Sequence, residues 1–202
     1  MPMAPDQRRE RVRTHLMTSA QVKQRLAETC LDEIVAAAEM ITQTLRAHGK
    51  VMLCGNGGSA ADSQHIAAEF TNRFSPDLQR PALAALALTT DTSFLTSNAN
   101  DYGFEYIFER QVEALGREGD VLVGISTSGN SGNVVRAVKF CRGRRIKTIG
   151  LLGSSGGQLG TLVDLAISVP STSTQHIQEA HITIGHIVCD LVEQWLFRNG
   201  QS

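Results

Sequence analysis

The chain has 202 residues, 42% of them hydrophobic, with 19 basic side chains against 20 acidic ones for a formal net charge of −1. That length and apolar content suffice for one buried core, and the balanced charge gives no basic footprint for nucleic acid or an anionic membrane surface. No segment reaches the roughly 20 consecutive apolar residues that span a bilayer, so the expected partners include no nucleic acid and no membrane. The four cysteines, Cys30, Cys54, Cys141 and Cys189, form no CxxC pair and read as reduced core thiols of a cytoplasmic protein.

The first stretch, MPMAPDQRRERVRTHLMTSA, is arginine-rich but carries Asp6 and Glu10 and has neither an apolar core nor a small-residue cleavage site. It does not read as a secretory signal, and Met17 stands as an alternative start. Residues 1–18 are expected to be a poorly ordered extension and 19–197 a single domain. From residue 19, apolar positions Leu31, Ile34, Val35, Ala38, Ile41 and Leu45 recur at three-four spacing up to Gly49, which predicts one or two amphipathic helices. Then come KVMLCG, a glycine-rich loop and a helix to about Arg73. PALAALAL follows, with a loop and a helix from about Gly103 to Leu115. DVLVGIS leads into STSGNS and the helix NVVRAVKFCR, and RIKTIGLLG into a short helix near Leu159. DLAISVP and the long helix QHIQEAHITIGHIVCDLVEQWLF complete the pattern. Five short apolar runs without alternation, separated by helical segments, predict a five-stranded parallel α/β sheet with helices on both faces, a three-layer sandwich of flavodoxin-like type.

Ligands of such sheets bind beyond the carboxyl ends of the strands, where loops enter helices. Two of those loops have unusual chemistry here. After the first strand, Gly55, Gly57 and Gly58 allow close backbone approach, and Ser59 with Asp62 fits a capping box. Asp62 also stands near enough to the loop for a proton relay. After the third strand, Ser126, Thr127, Ser128 and Ser131 surround Gly129 at a helix start, and such hydroxyls and amides hold phosphate without a lysine. Neither loop has the GxGxxG or GxxxxGK[ST] spacing of a nucleotide site. Phe104, Tyr106 and Phe108 read as packing residues, His176 and His181 as structural, and His15 and His48 as solvated.

CGNGGSAADSQHIAAEF, SNANDYGFEYIFERQVEALGREGDVLVGISTSGNSGNVV and IQEAHITIGHIVCDLVE together resemble the sugar isomerase (SIS) domain, and within it the phosphoheptose isomerases, over about residues 20–197. The resemblance implies the SIS fold and a homotetramer with sites at subunit interfaces. It also implies conversion of a phosphorylated seven-carbon sugar, sedoheptulose 7-phosphate, to D-glycero-D-manno-heptose 7-phosphate for lipopolysaccharide or related glycans, and one zinc per subunit. Matched position by position, it assigns Asn56, Gly57, Gly58, Ser59, Asn100, Asp101, Ser126, Thr127, Ser128 and Ser131 to the substrate. Glu69 and His186 are assigned to catalysis. His65, Glu69, Gln178 and His186 are assigned to the metal, and Glu69 and Gln178 to the substrate as well.

Those residue types suit the chemistry. Moving a proton between adjacent carbons through an enediol or enediolate needs a base over the carbons, for which Glu69 is suited, and an acid/base for the oxygens, for which an imidazole such as that of His186 is suited. His65 and Glu69, at i and i+4, share a helix face and can share a cation, although a zinc-bound carboxylate is a poorer base. Gln178 and His186 stand eight residues apart, about 12 Å along a helix axis. Either a distorted helix start or ligands from two copies of the chain would relieve that separation. Two rival readings remain: a non-catalytic SIS protein that associates with the replication initiator, a branch that lacks the glutamate and histidine found here at positions 69 and 186, and a domain for another phosphosugar.

Overall fold

The five apolar runs form one sheet in the computed structural model, which describes residues 4–198. Its strands are β1 (Val51–Gly55), β2 (Ala85–Ala87), β3 (Val121–Ser126), β4 (Lys147–Gly153) and β5 (Leu165–Val169). All pairings are parallel, in the order β2-β1-β3-β4-β5. Every residue of β1 and β3 is buried, which is why these strands read as continuous apolar runs rather than alternating ones. Val51 and Leu53 face a core completed by α1 (Pro5–Thr29), α2 (Leu31–Arg46), α3 (Gly58–Thr71) and α7 (Thr174–Glu193). Met52 and Cys54 face the opposite core, under α5 (Glu109–Leu115) and α6 (Gly132–Arg142). All four cysteines are buried and unpaired, and burial drives the Cys54 and Cys189 thiols far up and that of Cys141 up to about 12.

Several expectations are corrected. The stretch expected as a poorly ordered extension is helical from Pro5, because α1 continues unbroken through it to Thr29; residues 1–3 lie outside the described residues. Part of the region expected as a loop after β2 is helix α4 (Thr92–Asp101), capped by Asp91, whose carboxylate accepts from the Phe94 amide at 2.9 Å. The helix expected from Gly103 begins only at Glu109, because Gly103 has φ 99° and the chain makes a 3₁₀ turn over Phe104–Tyr106. Of the apolar stripe on α2, Ile34, Ala38 and Ile41 are buried, whereas Leu31 and Val35 are exposed.

The order of the strands positions the site. β1 leads into α3 on one face of the sheet and β3 into α6 on the other, so the two loops diverge at a topological switch point between adjacent strands. The two loops read as chemically unusual in the sequence are the ones that border this crevice.

Candidate active site

The β1 loop turns at Gly57, whose φ of 56° and ψ of −120° form a conformation that suits glycine alone. Gly57 itself caps α3 and no side chain does, so the capping box expected from Ser59 and Asp62 is not formed; the helix starts at Gly58, inside which Ser59 is already buried. Across the switch point Asn56 and Asn133 exchange both amide hydrogen bonds, at 2.9 and 2.8 Å, which ties the β1 loop to the first turn of α6. Asn133 is 3% exposed; it was missed in the sequence because a single asparagine after a serine-rich loop carries no spacing signal.

On the β3 side, the Ser126 and Ser131 hydroxyls lie 2.9 Å apart, with Ser128 at 3.5 Å from Ser126. Ser131 precedes α6 without a side-chain hydrogen bond to it, so amides of the helix's first turn are left for a ligand. Thr127 and Ser128 line a cavity of about 310 Å³ together with Ser154, Ser155, Ser171 and Thr174. These further hydroxyls come from the segments that follow β4 and β5, Thr174 being the first residue of α7, and the Ser-Ser and Ser-Thr runs are their only sign in the sequence. Replacing Ser126 or Ser128 with alanine is expected to raise KM for a sugar phosphate, each lost hydrogen bond to a charged group costing about 1.5–3 kcal/mol. Unchanged affinity in both variants, by calorimetry, would move the phosphate position elsewhere.

The ionisable residues gather where α3 crosses α7. His65 and His186 face each other with their Nε2 atoms 2.8 Å apart, and the Glu69 carboxylate lies 3.5 Å from His65 on the next turn. The crossing is close because Gly185 has no side chain: a Cβ there would stand 2.6 Å from Ile66 Cδ1. Gly185→Val is therefore expected to cost about 1–3 kcal/mol by overpacking and to separate His65 from His186. A thermal melt and a turnover assay would read both effects, and an unchanged melt would show that the helices yield freely.

Gln178 does not join this cluster. α7 is regular from Thr174, without the distorted start that would bring Gln178 to His186. The Gln178 amide lies instead against Gly58, where a Cβ would come within 2.6 Å of its Cδ, and approaches Asp62 Oδ1 at 3.5 Å. Asp62 is buried, its second oxygen has no partner, and burial raises its carboxyl above the ordinary value against the Gln178 hydrogen bond. Asn100 and Asp101 are exposed and bond to each other at 2.8 Å. Phe108 is buried as expected, but Phe104 is exposed and lines a small cavity beside Asn56 and Gly57. His181 is fully buried and donates from Nε2 to the Leu152 carbonyl at 3.1 Å; burial lowers its pKa to about 4, so it is a neutral structural residue. His15, expected to be solvated, meets Glu179 at 3.2 Å.

A doubly wound parallel sheet with glycine- and hydroxyl-rich loops at its switch point, and an ionisable crevice beside them, defines an α/β domain built to take a ligand at its carboxyl edge. The SIS domain model matches residues 15–153. The chain is 55% identical over 179 residues to a phosphoheptose isomerase of Roseiflexus sp. (strain RS-1), covering 89% of this chain and 90% of that one. Its fold is similar to that of the phosphoheptose isomerase of Neisseria gonorrhoeae, with TM-score 0.87, 48% identity and 92% and 98% of the two chains covered. The phosphoheptose isomerase of Francisella tularensis superposes with TM-score 0.88 at 38% identity over 92% and 97%. The chain belongs to the SIS domain family and, within it, to the phosphoheptose isomerases.

Proposed function

We propose that the protein is an aldose-ketose isomerase that interconverts sedoheptulose 7-phosphate and D-glycero-D-manno-heptose 7-phosphate. The observation that carries this reading is the meeting of His65, Glu69 and His186 in one crevice beside the phosphate-type loops. The Ser126–Ser131 loop, with Asn56, Gly57, Gly58 and Ser59 across the switch point, holds the phosphate end. The sugar's reacting end then extends toward α3 and α7. Glu69 removes the proton from C1 of the ketose while the C2 carbonyl oxygen takes up a proton, giving the enediol or enediolate. Return of a proton to C2 and loss of the O1 proton give the aldose, with His186 moving the oxygen-bound protons.

The donor set of two imidazoles and a carboxylate fits zinc, which His65, Glu69 and His186 would hold; Gln178, turned toward Asp62 in its own chain, would complete the set from a second copy. Zinc bound there supplies polarisation of the substrate carbonyl. The decisive experiment incubates the purified protein with sedoheptulose 7-phosphate, with and without added zinc, and follows the aldoheptose phosphate by NMR. Its formation is expected; tight binding of the sugar with no conversion would favour the non-catalytic reading.

We place the enzyme in the cytoplasm, the compartment that four buried, unpaired thiols suit; among the described residues, no helix is long and apolar enough to cross a membrane. A homotetramer with composite sites accounts for the exposed apolar side chains of Val12, Leu16, Leu31 and Val35 and for the exposed positions of Asn100 and Asp101. Mixing inactive Glu69→Gln chains with inactive Asp101→Ala chains is expected to restore part of the activity, because some mixed sites hold both native groups. No recovery in tetramers shown to be mixed would place the whole site in one chain.

A further inference from the structure

A second group of metal-ligating side chains lies away from the crevice, where α1 packs on the start of α7. The Nε2 of His15 is 3.2 Å from Glu179 Oε1, and the Nδ1 of His176 is 3.2 Å from Glu179 Oε2. Among the described residues, His15, His176 and Glu179 form a set of His, Cys, Asp or Glu ligands whose donor atoms all fall within 4.8 Å of one another. We propose that these three residues form a divalent-cation site that pins α1 to α7, distinct from the cluster of His65, Glu69 and His186.

Four observations support the site. A tetrahedral ion with bonds of 2.0–2.1 Å holds its ligands roughly 3.3 Å apart, and each imidazole already lies 3.2 Å from one oxygen of the carboxylate, His15 from Oε1 and His176 from Oε2, so that a small rotation of the carboxylate brings one oxygen to both. Two imidazoles and one carboxylate are a donor set that suits zinc, cobalt or nickel rather than calcium or magnesium. The carboxylate is oriented from behind, since the Ser19 hydroxyl donates to Glu179 Oε2 at 2.5 Å and itself accepts from Lys23 Nζ at 2.8 Å. Lastly, a cavity of about 510 Å³ lies against His15 and His176, bounded by Gln7, Glu10, Arg11 and Thr14, with room for a water or a fourth ligand. His176 and His186 are ten residues apart on α7, about 15 Å along its axis, so the two clusters cannot share one ion.

The test uses the full chain freed of metal by chelation. Zinc is added by equilibrium dialysis and counted per chain, first in the wild type and then in a His65→Ala/His186→Ala variant that lacks the crevice imidazoles. That variant is expected to retain one equivalent and to melt at a higher temperature with zinc than without. Adding His15→Ala is expected to remove both the equivalent and the shift, and His15 is exposed, so the change leaves the fold intact. Ser19→Ala is expected to weaken zinc binding about 10- to 100-fold by freeing the carboxylate. Full retention of zinc in the triple variant, or no binding in the double variant while it remains folded by circular dichroism, would overturn the proposal.

Discussion

Glu69→Gln is expected to lower kcat about 100- to 10,000-fold, the range that a positioned general base contributes, with the melting temperature almost unchanged. The substitution keeps the side chain's size and its polar contact toward His65, 3.5 Å away, but leaves no group able to accept a carbon-bound proton. The fold is insulated from the change because the neighbouring structure grips the Glu69 backbone instead: Arg80 Nη2 donates to the Glu69 carbonyl at 2.8 Å. Exchange of the substrate C1 hydrogen with deuterated solvent should be lost in parallel with turnover. Near-normal exchange and turnover in the variant would assign the proton transfer to another group.

The largest effect on stability is expected at Glu193, on the last turn of α7. Its carboxylate is essentially buried and accepts from the Phe74 amide at 2.7 Å, the Ser75 amide at 3.0 Å and Arg80 Nε at 2.6 Å. The Arg80 side chain is 0% exposed and donates onward to the Phe70 carbonyl at 2.9 Å. Glu193→Ala leaves that guanidinium buried without its counter-charge, which costs about 3–5 kcal/mol; at about 2–4 °C per kcal/mol for a chain of this size, the melting temperature should fall by roughly 10 °C. The pair also holds the chain that follows α3 against α7, and the Phe74 ring lies 5.9 Å from that of His186, so turnover should fall as well. A double-mutant cycle with Arg80→Met and Glu193→Leu should show the double variant less destabilised than the sum of the singles; strict additivity would mean that the pair is not coupled.

The same carboxylate gives the stability a pH dependence. Burial by itself would raise the Glu193 carboxyl, but the Phe74 and Ser75 amides and the Arg80 guanidinium outweigh it and hold the group below its ordinary value. A carboxyl depressed in the folded state binds fewer protons than in the unfolded chain. Its contribution is therefore complete above the ordinary carboxylate range and is lost as pH falls through the depressed value. Glu193→Leu should flatten the acid side of the stability curve.

Local pattern determined much of this protein. The apolar runs at residues 51–55 and 121–126 are legible as strands because a strand covered on both faces needs no polar position, and those at 147–153 and 165–169 because they are short, largely apolar runs between turn and helix signals. The glycine- and serine-rich loops are legible because backbone approach and hydroxyl donors demand those residue types at any strand end. The i,i+4 pair of His65 and Glu69 lies on one helix face by helical geometry alone. Other features depended on segments distant in sequence. His65 meets His186 across 121 positions, and the angle and depth of the α3–α7 crossing decide that contact through the missing side chain of Gly185. The reciprocal amide pair of Asn56 and Asn133, the burial of Arg80 on Glu193, and the meeting of His15 with Glu179 likewise arise only when the helices pack. Gly103, with φ 99°, breaks a pattern that periodicity alone would continue. Secondary structure and loop chemistry follow from interactions within a few residues, which a sequence displays directly. Which ionisable groups meet follows from how close packed helices can approach, and that distance is set by side chains on both partners at once.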